Sequence, residues 1–131
     1  DLIKLILLEV NCGSTRNPKV KVVLDFKGKK FEKVESGNGP VDSIFKAINN
    51  VINNSAKLEL FLINAITKGT DAQAEVSVRL SENGISVNGT SSDTDTMVAS
   101  AKAYIIALNK LIFKRMKKSS EINLSTKTLM K

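Results

Sequence analysis

A chain of 131 residues, 42% hydrophobic and 25% charged, has the size and composition of one soluble globular domain, which excludes a disordered chain. With no histidine and a single cysteine, Cys12, it cannot build a Ser-His-Asp triad, a Cys-His pair, a Cys/His zinc site or an internal disulfide. The formal charge of +7 is uneven: residues 1–109 hold 13 Lys+Arg against 12 Asp+Glu, and residues 110–131 hold 7 against 1, so the basicity belongs to the C-terminal end, which reads as a solvated tail with a phosphate-binding arm as the alternative. No nucleic-acid partner is expected.

Leu2–Val10 is apolar but interrupted by Lys4 and Glu9. It is too short to span a bilayer and lacks the marks of a signal peptide. A buried strand is predicted, with no membrane partner; the lone cysteine fits a reducing, cytoplasmic location. The first residue, Asp1, suggests a chain that begins inside a longer gene product. Asn11–Pro18 is rich in turn formers and predicts a loop, with Cys12 a structural residue near the strand end.

Lys19–Phe26 alternates, with Val20, Val22 and Leu24 on one face, and predicts a half-buried strand. Lys27-Gly28-Lys29 turns the chain, and Lys30–Glu35 returns as a hairpin partner. Beyond Ser36–Pro40, Val41, Ile44, Phe45, Ile48, Val51 and Ile52 recur at helical steps, with Pro40 suited to the first turn and Asn53-Asn54-Ser55 ending the helix.

Leu58–Thr67 predicts another apolar strand, followed by a turn at Lys68–Asp71. Ala72–Leu80 alternates, with Ala74, Val76, Val78 and Leu80 on one face. Glu82-Asn83-Gly84 predicts a hairpin turn and Ile85–Asn88 its return strand. Gly89–Asp95 is a loop leading into a long helix, with an apolar stripe of Val98, Ala101, Ile105, Leu108 and Ile112 flanked by Met97, Tyr104 and Leu111. From Met116 the sequence is polar and without period, and fraying is expected.

The two halves share this order. Lys19–Phe26 corresponds to Ala72–Leu80, and the loop Ser36–Pro40 to Gly89–Asp95. The fold class implied is α+β: a tandem βββα repeat with antiparallel sheets packed on two helices about a pseudo-two-fold. The domain covers residues 1–115, in halves of about 1–56 and 57–115, with a basic tail over 116–131.

Both halves end in a loop and a helix N-terminus, where unpaired amides and a partial positive charge suit a carboxylate or a phosphate. Gly37 and Gly39 allow close backbone approach. A phosphate loop is not supported, since Gly37-Asn38-Gly39 is followed by Asp42 three residues on and there is no Gly-Lys-Ser/Thr. A small ligand with a carboxylate and an ammonium fits better: helix amides for the first, Asp42, Asp95 or loop carbonyls for the second, and Ala65, Ala72 and Ala74 leaving room for an aliphatic side chain. Spacing alone is explained more economically if these glycines serve turns and Asp42, Asp93 and Asp95 cap their helices.

Gly37-Asn38-Gly39-Pro40-Val41-Asp42 with Ala47, Gly69-x-Asp71-Ala72-Gln73-Ala74-Glu75-Val76, Asp93-x-Asp95, Ala99-Ser100-Ala101-x-Ala103-Tyr104 and Ala107-Leu108-Asn109-Lys110 occur in order over most of residues 18–112. Together they resemble the C-terminal regulatory domain shared by 2-isopropylmalate synthases and (R)-citramalate synthases. The resemblance implies a non-catalytic, allosteric, homodimerising domain behind an N-terminal TIM barrel. That barrel would be the acetyl-CoA-dependent acyltransferase and would carry the divalent metal, so no cofactor is expected here. It implies feedback inhibition by a branched-chain amino acid, L-leucine in leucine biosynthesis. The alternatives are isoleucine in a citramalate synthase, or a dimerisation-only module. Carried over by position, the effector-binding residues are Gly37, Asn38, Gly39, Val41, Asp42, Leu58, Phe61, Ala65, Ala72, Ala74, Asp95 and Thr96. Phe61 stands where the family often has tyrosine.

Overall fold

The structure, a computed structural model, describes residues 2–14, 16–69 and 71–129, with side chains described as far as residue 120 apart from Arg16 and Lys68. Eight elements follow in order: β1 (Ile3–Gly13), β2 (Arg16–Phe26), β3 (Lys29–Ser36), α1 (Pro40–Val51), β4 (Lys57–Lys68), β5 (Asp71–Glu82), β6 (Ile85–Asp93) and α2 (Thr96–Leu129). They form two antiparallel three-stranded sheets, β1-β2-β3 and β4-β5-β6, each followed by its helix. This is the expected tandem βββα architecture.

The repeat extends to fine detail. Each first strand carries a register shift at the same place, between Leu5 and Leu7 in β1 and between Leu58 and Leu60 in β4. Each second hairpin turns through two residues in the left-handed region, Lys27-Gly28 (φ 54° and 83°) and Asn83-Gly84 (φ 50° and 79°). That geometry matches the strand twist. In the first turn Asp25 also accepts the Gly28 N–H at 2.9 Å.

The core lies between sheets and helices. Val20, Val22 and Leu24 of β2 and Val76, Val78 and Leu80 of β5 are buried, as their alternation predicts. Ile44, Ala47 and Ile48 of α1 cover the first sheet, where α1 packs on β2 and β3, while α2 packs on β5 and β6. On α2 the expected Ala101, Ile105, Leu108 and Ile112 are buried while Val98, in the first turn, is only half-buried; Ala99, Ala103 and Ala107, which the apolar stripe did not include, are buried too. These alanines have a purpose in packing. A Cβ on Gly89 would lie 2.2 Å from the Ala103 carbonyl oxygen and 3.1 Å from the Ala107 Cβ, so β6 and α2 approach at backbone distance. Two buried hydroxyls are satisfied within their helices: Ser43 donates to the Gly39 carbonyl and Ser100 to the Thr96 carbonyl.

Several contacts join the halves. Phe45 of α1 stacks on Tyr104 of α2 at 4.2 Å, and the Tyr104 hydroxyl donates to Asn49 at 2.7 Å. Burial raises the Tyr104 pKa, opposed by that bond. The Asn109 amide of α2 accepts from the Ile3 N–H (2.8 Å) and donates to the Ile3 carbonyl (3.0 Å). Glu82, at the end of β5, accepts from the Ser55 N–H and hydroxyl in the linker and from Arg115 of α2.

Several local expectations are corrected. Asn11–Pro18 is not a loop: β1 reaches Gly13 and β2 starts at Arg16, with Thr15 outside the described residues. Pro18 is tolerated because it falls at the register irregularity between Asn11 and Gly13, where no ladder N–H is required. Gly89 is no loop residue either. It lies inside β6, which runs to Asp93, and is glycine because α2 leaves no room for a side chain. β1 is only partly buried: Ile3 is covered, but Ile6 and Leu7 are exposed. Finally, α2 continues past Met116 to Leu129, where the sequence suggests fraying. A helix already nucleated by packing propagates through good helix formers such as Lys117, Lys118 and Glu121. Met130 and Lys131, the end of the expected tail, lie outside the described residues.

By length and composition Thr96–Ser120 is apolar enough to cross a bilayer, yet more than half of it is buried within the fold, as befits a core helix.

Candidate functional site

The two helix starts differ in how they are capped. At α1 the N-cap is Gly39 (φ 144°, ψ 165°), which offers no side-chain cap, and Pro40 opens the helix. Asp42 reaches back and accepts the Asn38 N–H at 3.0 Å. Gly37 makes that possible, because a Cβ there would sit 2.4 Å from the Asp42 carboxylate. Gly37, Asn38, Gly39, Val41 and Asp42 therefore form one compact unit. Its first-turn amides carry the helix's partial positive charge without a capping side chain.

At α2 the cap is internal. Asp95 accepts the Met97 N–H at 2.8 Å and the Val98 N–H at 3.4 Å. Asp93 accepts the Asp95 N–H at 2.9 Å and pairs with Lys102 at 3.2 Å. The Asp95 amide and then the Lys102 ammonium hold the Asp93 carboxyl below its ordinary pKa. Capping thus accounts for Asp93 and Asp95, as spacing alone suggested. Thr96 is the first residue of α2.

The sheet residues share one side. Phe61 pairs with Val78, Ala65 with Ala74 and Ala72 with Thr67. Since Val76, Val78 and Leu80 face the core, Phe61, Ala65, Ala72 and Ala74 lie on the helix side of their sheet. Ala74 in turn pairs with Asp93. Ala65, Ala74 and Asp93 make a row across three strands that ends beside the α2 start. Ala65 and Ala72 are exposed and Ala74 is half-buried, so this is an open floor of small residues. Phe61 packs edge-on against Phe45 at 5.8 Å, one turn beyond the Gly37–Asp42 unit.

Leu58 stands apart. It pairs with Leu80, at the opposite end of β4 from Ala65, about 20 Å away at a strand's rise per residue. A ligand the size of an amino acid cannot touch both within one chain. No hydrogen bond joins residues 37–42 to residues 93–96 among the described residues.

One feature went unread in the sequence. On β4, Leu58, Leu62 and Ile63 are 47%, 49% and 47% exposed, and they occupy both sides of the strand. The signal was present: Leu58, Leu60, Phe61, Leu62 and Ile63 do not alternate with polar residues, the pattern of a strand covered on both faces. Among the described residues, Leu58 and Ile63 on the core side and Leu62 on the other side are all about half exposed.

The sequence model of the LeuA allosteric (dimerisation) domain matches residues 1–112. The chain belongs to this family. Relatives of the LeuA domain include 2-isopropylmalate synthases of Bradyrhizobium sp. (strain ORS 278), 50% identical over 115 residues, and of Rhodopseudomonas palustris (strain BisA53), 53% identical over 116 residues. In both the alignment takes in 88% of this chain and 22% of the relative. The synthase of Afipia carboxidovorans is 46% identical over 119 residues, 91% of this chain and 23% of its own length. The LeuA domain thus spans about a fifth of the curated relatives it matches, and it corresponds to their C-terminal regulatory domain. The match includes the β1–β2 hairpin and stops one residue before Phe113.

Proposed function

We propose that the chain is the feedback-sensing, dimer-forming domain of a 2-isopropylmalate synthase, and that it binds L-leucine and performs no catalysis itself. The observation that carries this is the match of residues 1–112 to an allosteric dimerisation domain, among relatives named as 2-isopropylmalate synthases. The parent is then a cytoplasmic acetyl-CoA-dependent acyltransferase. Its metal and catalytic residues belong to an N-terminal barrel outside this chain.

The α1 start supports the choice of ligand. Its uncapped amides suit an amino-acid carboxylate. Asp42 and Asp95 are acidic partners for the ammonium. The Ala65, Ala72 and Ala74 floor leaves room for a branched aliphatic group, and Phe61, having no hydroxyl, offers only apolar contact. The separation of Leu58 from Ala65 is resolved if two copies complete the site, with β4 as the shared surface. Its exposed leucines and isoleucine are the kind of patch that a partner covers. Inhibition further requires that leucine favour one arrangement of the dimer, with a coupling on the order of 1–3 kcal/mol.

Calorimetric titration of the domain with leucine, isoleucine and valine tests the reading. Leucine is expected to bind most tightly, and Ala72→Leu, at an exposed position, to abolish the heat while circular dichroism stays unchanged. Tighter binding of isoleucine would transfer the domain to the citramalate synthase type. No heat with any of the three would leave dimerisation alone.

A further inference from the structure

Beside the start of β1 lies a concavity of about 450 Å³, lined by Leu2, Asn109, Lys110, Phe113 and Lys114, none of which belongs to the sensing site. Phe113 is 66% exposed, the highest exposure of any large hydrophobic side chain among the described residues. Lys110 is held on the Asn88 carbonyl at 2.7 Å and, with Lys114, lends the groove positive charge. Asn109 fixes the geometry. Its amide occupies both polar groups of Ile3, as a neighbouring strand would, so α2 sets where the chain enters β1. Leu2, the next residue outward, already lines the groove.

We propose that this groove on α2 seats the segment that precedes residue 1 in the full-length synthase, with an apolar side chain of that segment against Phe113 and acidic ones against Lys110 and Lys114. Length and continuity identify the occupant. The domain is the C-terminal one and accounts for 22% of its Bradyrhizobium relative, so the remaining chain reaches it through the residues ahead of Leu2. A tethered segment is present at an effective concentration in the mM range, so a small groove can hold it. A free partner needs a larger surface. The inference rests on family membership alone and not on the identity of the effector. It gives α2 a direct hold on the rest of the enzyme.

Hydrogen exchange on the full-length protein is the test. Amides just ahead of residue 1 should exchange at least about tenfold more slowly than in a free peptide of the same sequence, as expected of a docked segment. Phe113→Ser should remove that protection, and Lys114→Glu should reduce it, while β1 and α2 as far as Leu111 keep theirs. Leucine binding by the full-length Phe113→Ser variant should be unchanged, which separates this proposal from the sensing one. Exchange at the free-peptide rate, or protection indifferent to both substitutions, would overturn it. Dissociation of a dimer by Phe113→Ser would overturn it too, by assigning the groove to a second copy.

Discussion

A methyl group on Gly89 would meet the backbone of α2, with the Ala103 oxygen at 2.2 Å and the Ala107 nitrogen at 2.7 Å. Backbone cannot rotate aside as a side chain can, so the helix must move off the sheet. Gly89→Ala is expected to destabilise the domain by about 2–3 kcal/mol, since overpacking outweighs the chain-entropy gain of replacing glycine. A urea midpoint equal to that of the unmodified domain would refute the close-approach argument. Glu82 offers a second residue-scale test. Burial pushes its carboxyl up, but the Ser55 amide, the Arg115 guanidinium at 2.5 Å and the Ser55 hydroxyl outweigh that and hold it below the ordinary 4.5. A carboxyl lowered in the folded state adds stability at neutral pH that is lost as pH falls through its folded value. Glu82→Gln should therefore cost about 1–3 kcal/mol at pH 7, as hydrogen bonds to a charged group are lost. It should also flatten the loss of stability below pH 5 in acid titrations followed by circular dichroism. An unchanged acid limb would mean that other carboxylates govern it.

At the scale of elements, β4 differs from its counterpart β1. α2 covers part of β1 through Ile3 and Asn109, whereas among the described residues β4 has chiefly the Phe61–Phe45 contact beyond its own sheet. If β4 meets a second copy, Leu62→Lys with Ile63→Lys should convert a dimer to a monomer in sedimentation equilibrium. Both residues are about half exposed, so the folded signal should survive. A dimer that persists would move the interface elsewhere. The elements themselves were largely legible. Alternation in Val20–Leu24 and Val76–Leu80, and helical spacing from Val41 to Ile52, mark one buried face each. Errors arose where composition stood in for environment. Asn11–Pro18 reads as turn because Asn, Gly, Ser and Pro crowd it, yet the ladder opposite decides its conformation. Gly89 reads as loop because the helix that requires it lies fourteen residues further on, at Ala103.

For the whole molecule, the repeat of order was readable, while the matching register shifts in β1 and β4 were not, because a bulge leaves no composition of its own. The candidate site was legible by resemblance in its pieces but not in its assembly. Gly37–Asp42 is one local unit, and Ala65, Ala74 and Asp93 are joined by strand pairing. Nothing in spacing announces that Leu58 and Ala65 lie at opposite ends of one strand. The halves are not independent either. The Phe45–Tyr104 stack, the Tyr104–Asn49 bond and the Glu82 cluster cross between them or tie down their linker, and they favour a single cooperative unfolding transition.

The clasp between Asn109 and Ile3 joins positions 106 apart in the chain. Within this domain β1 leaves the ribosome before the other elements, yet the side chain that pins it emerges among the last of the core residues. Until then Ile3, 1% exposed in the finished fold, has no lid. Closure of the molecule is therefore a late, long-range event. Truncation before Asn109 is expected to leave the Ile3 N–H and carbonyl unpaired and its side chain uncovered, and so to raise aggregation of the incomplete domain.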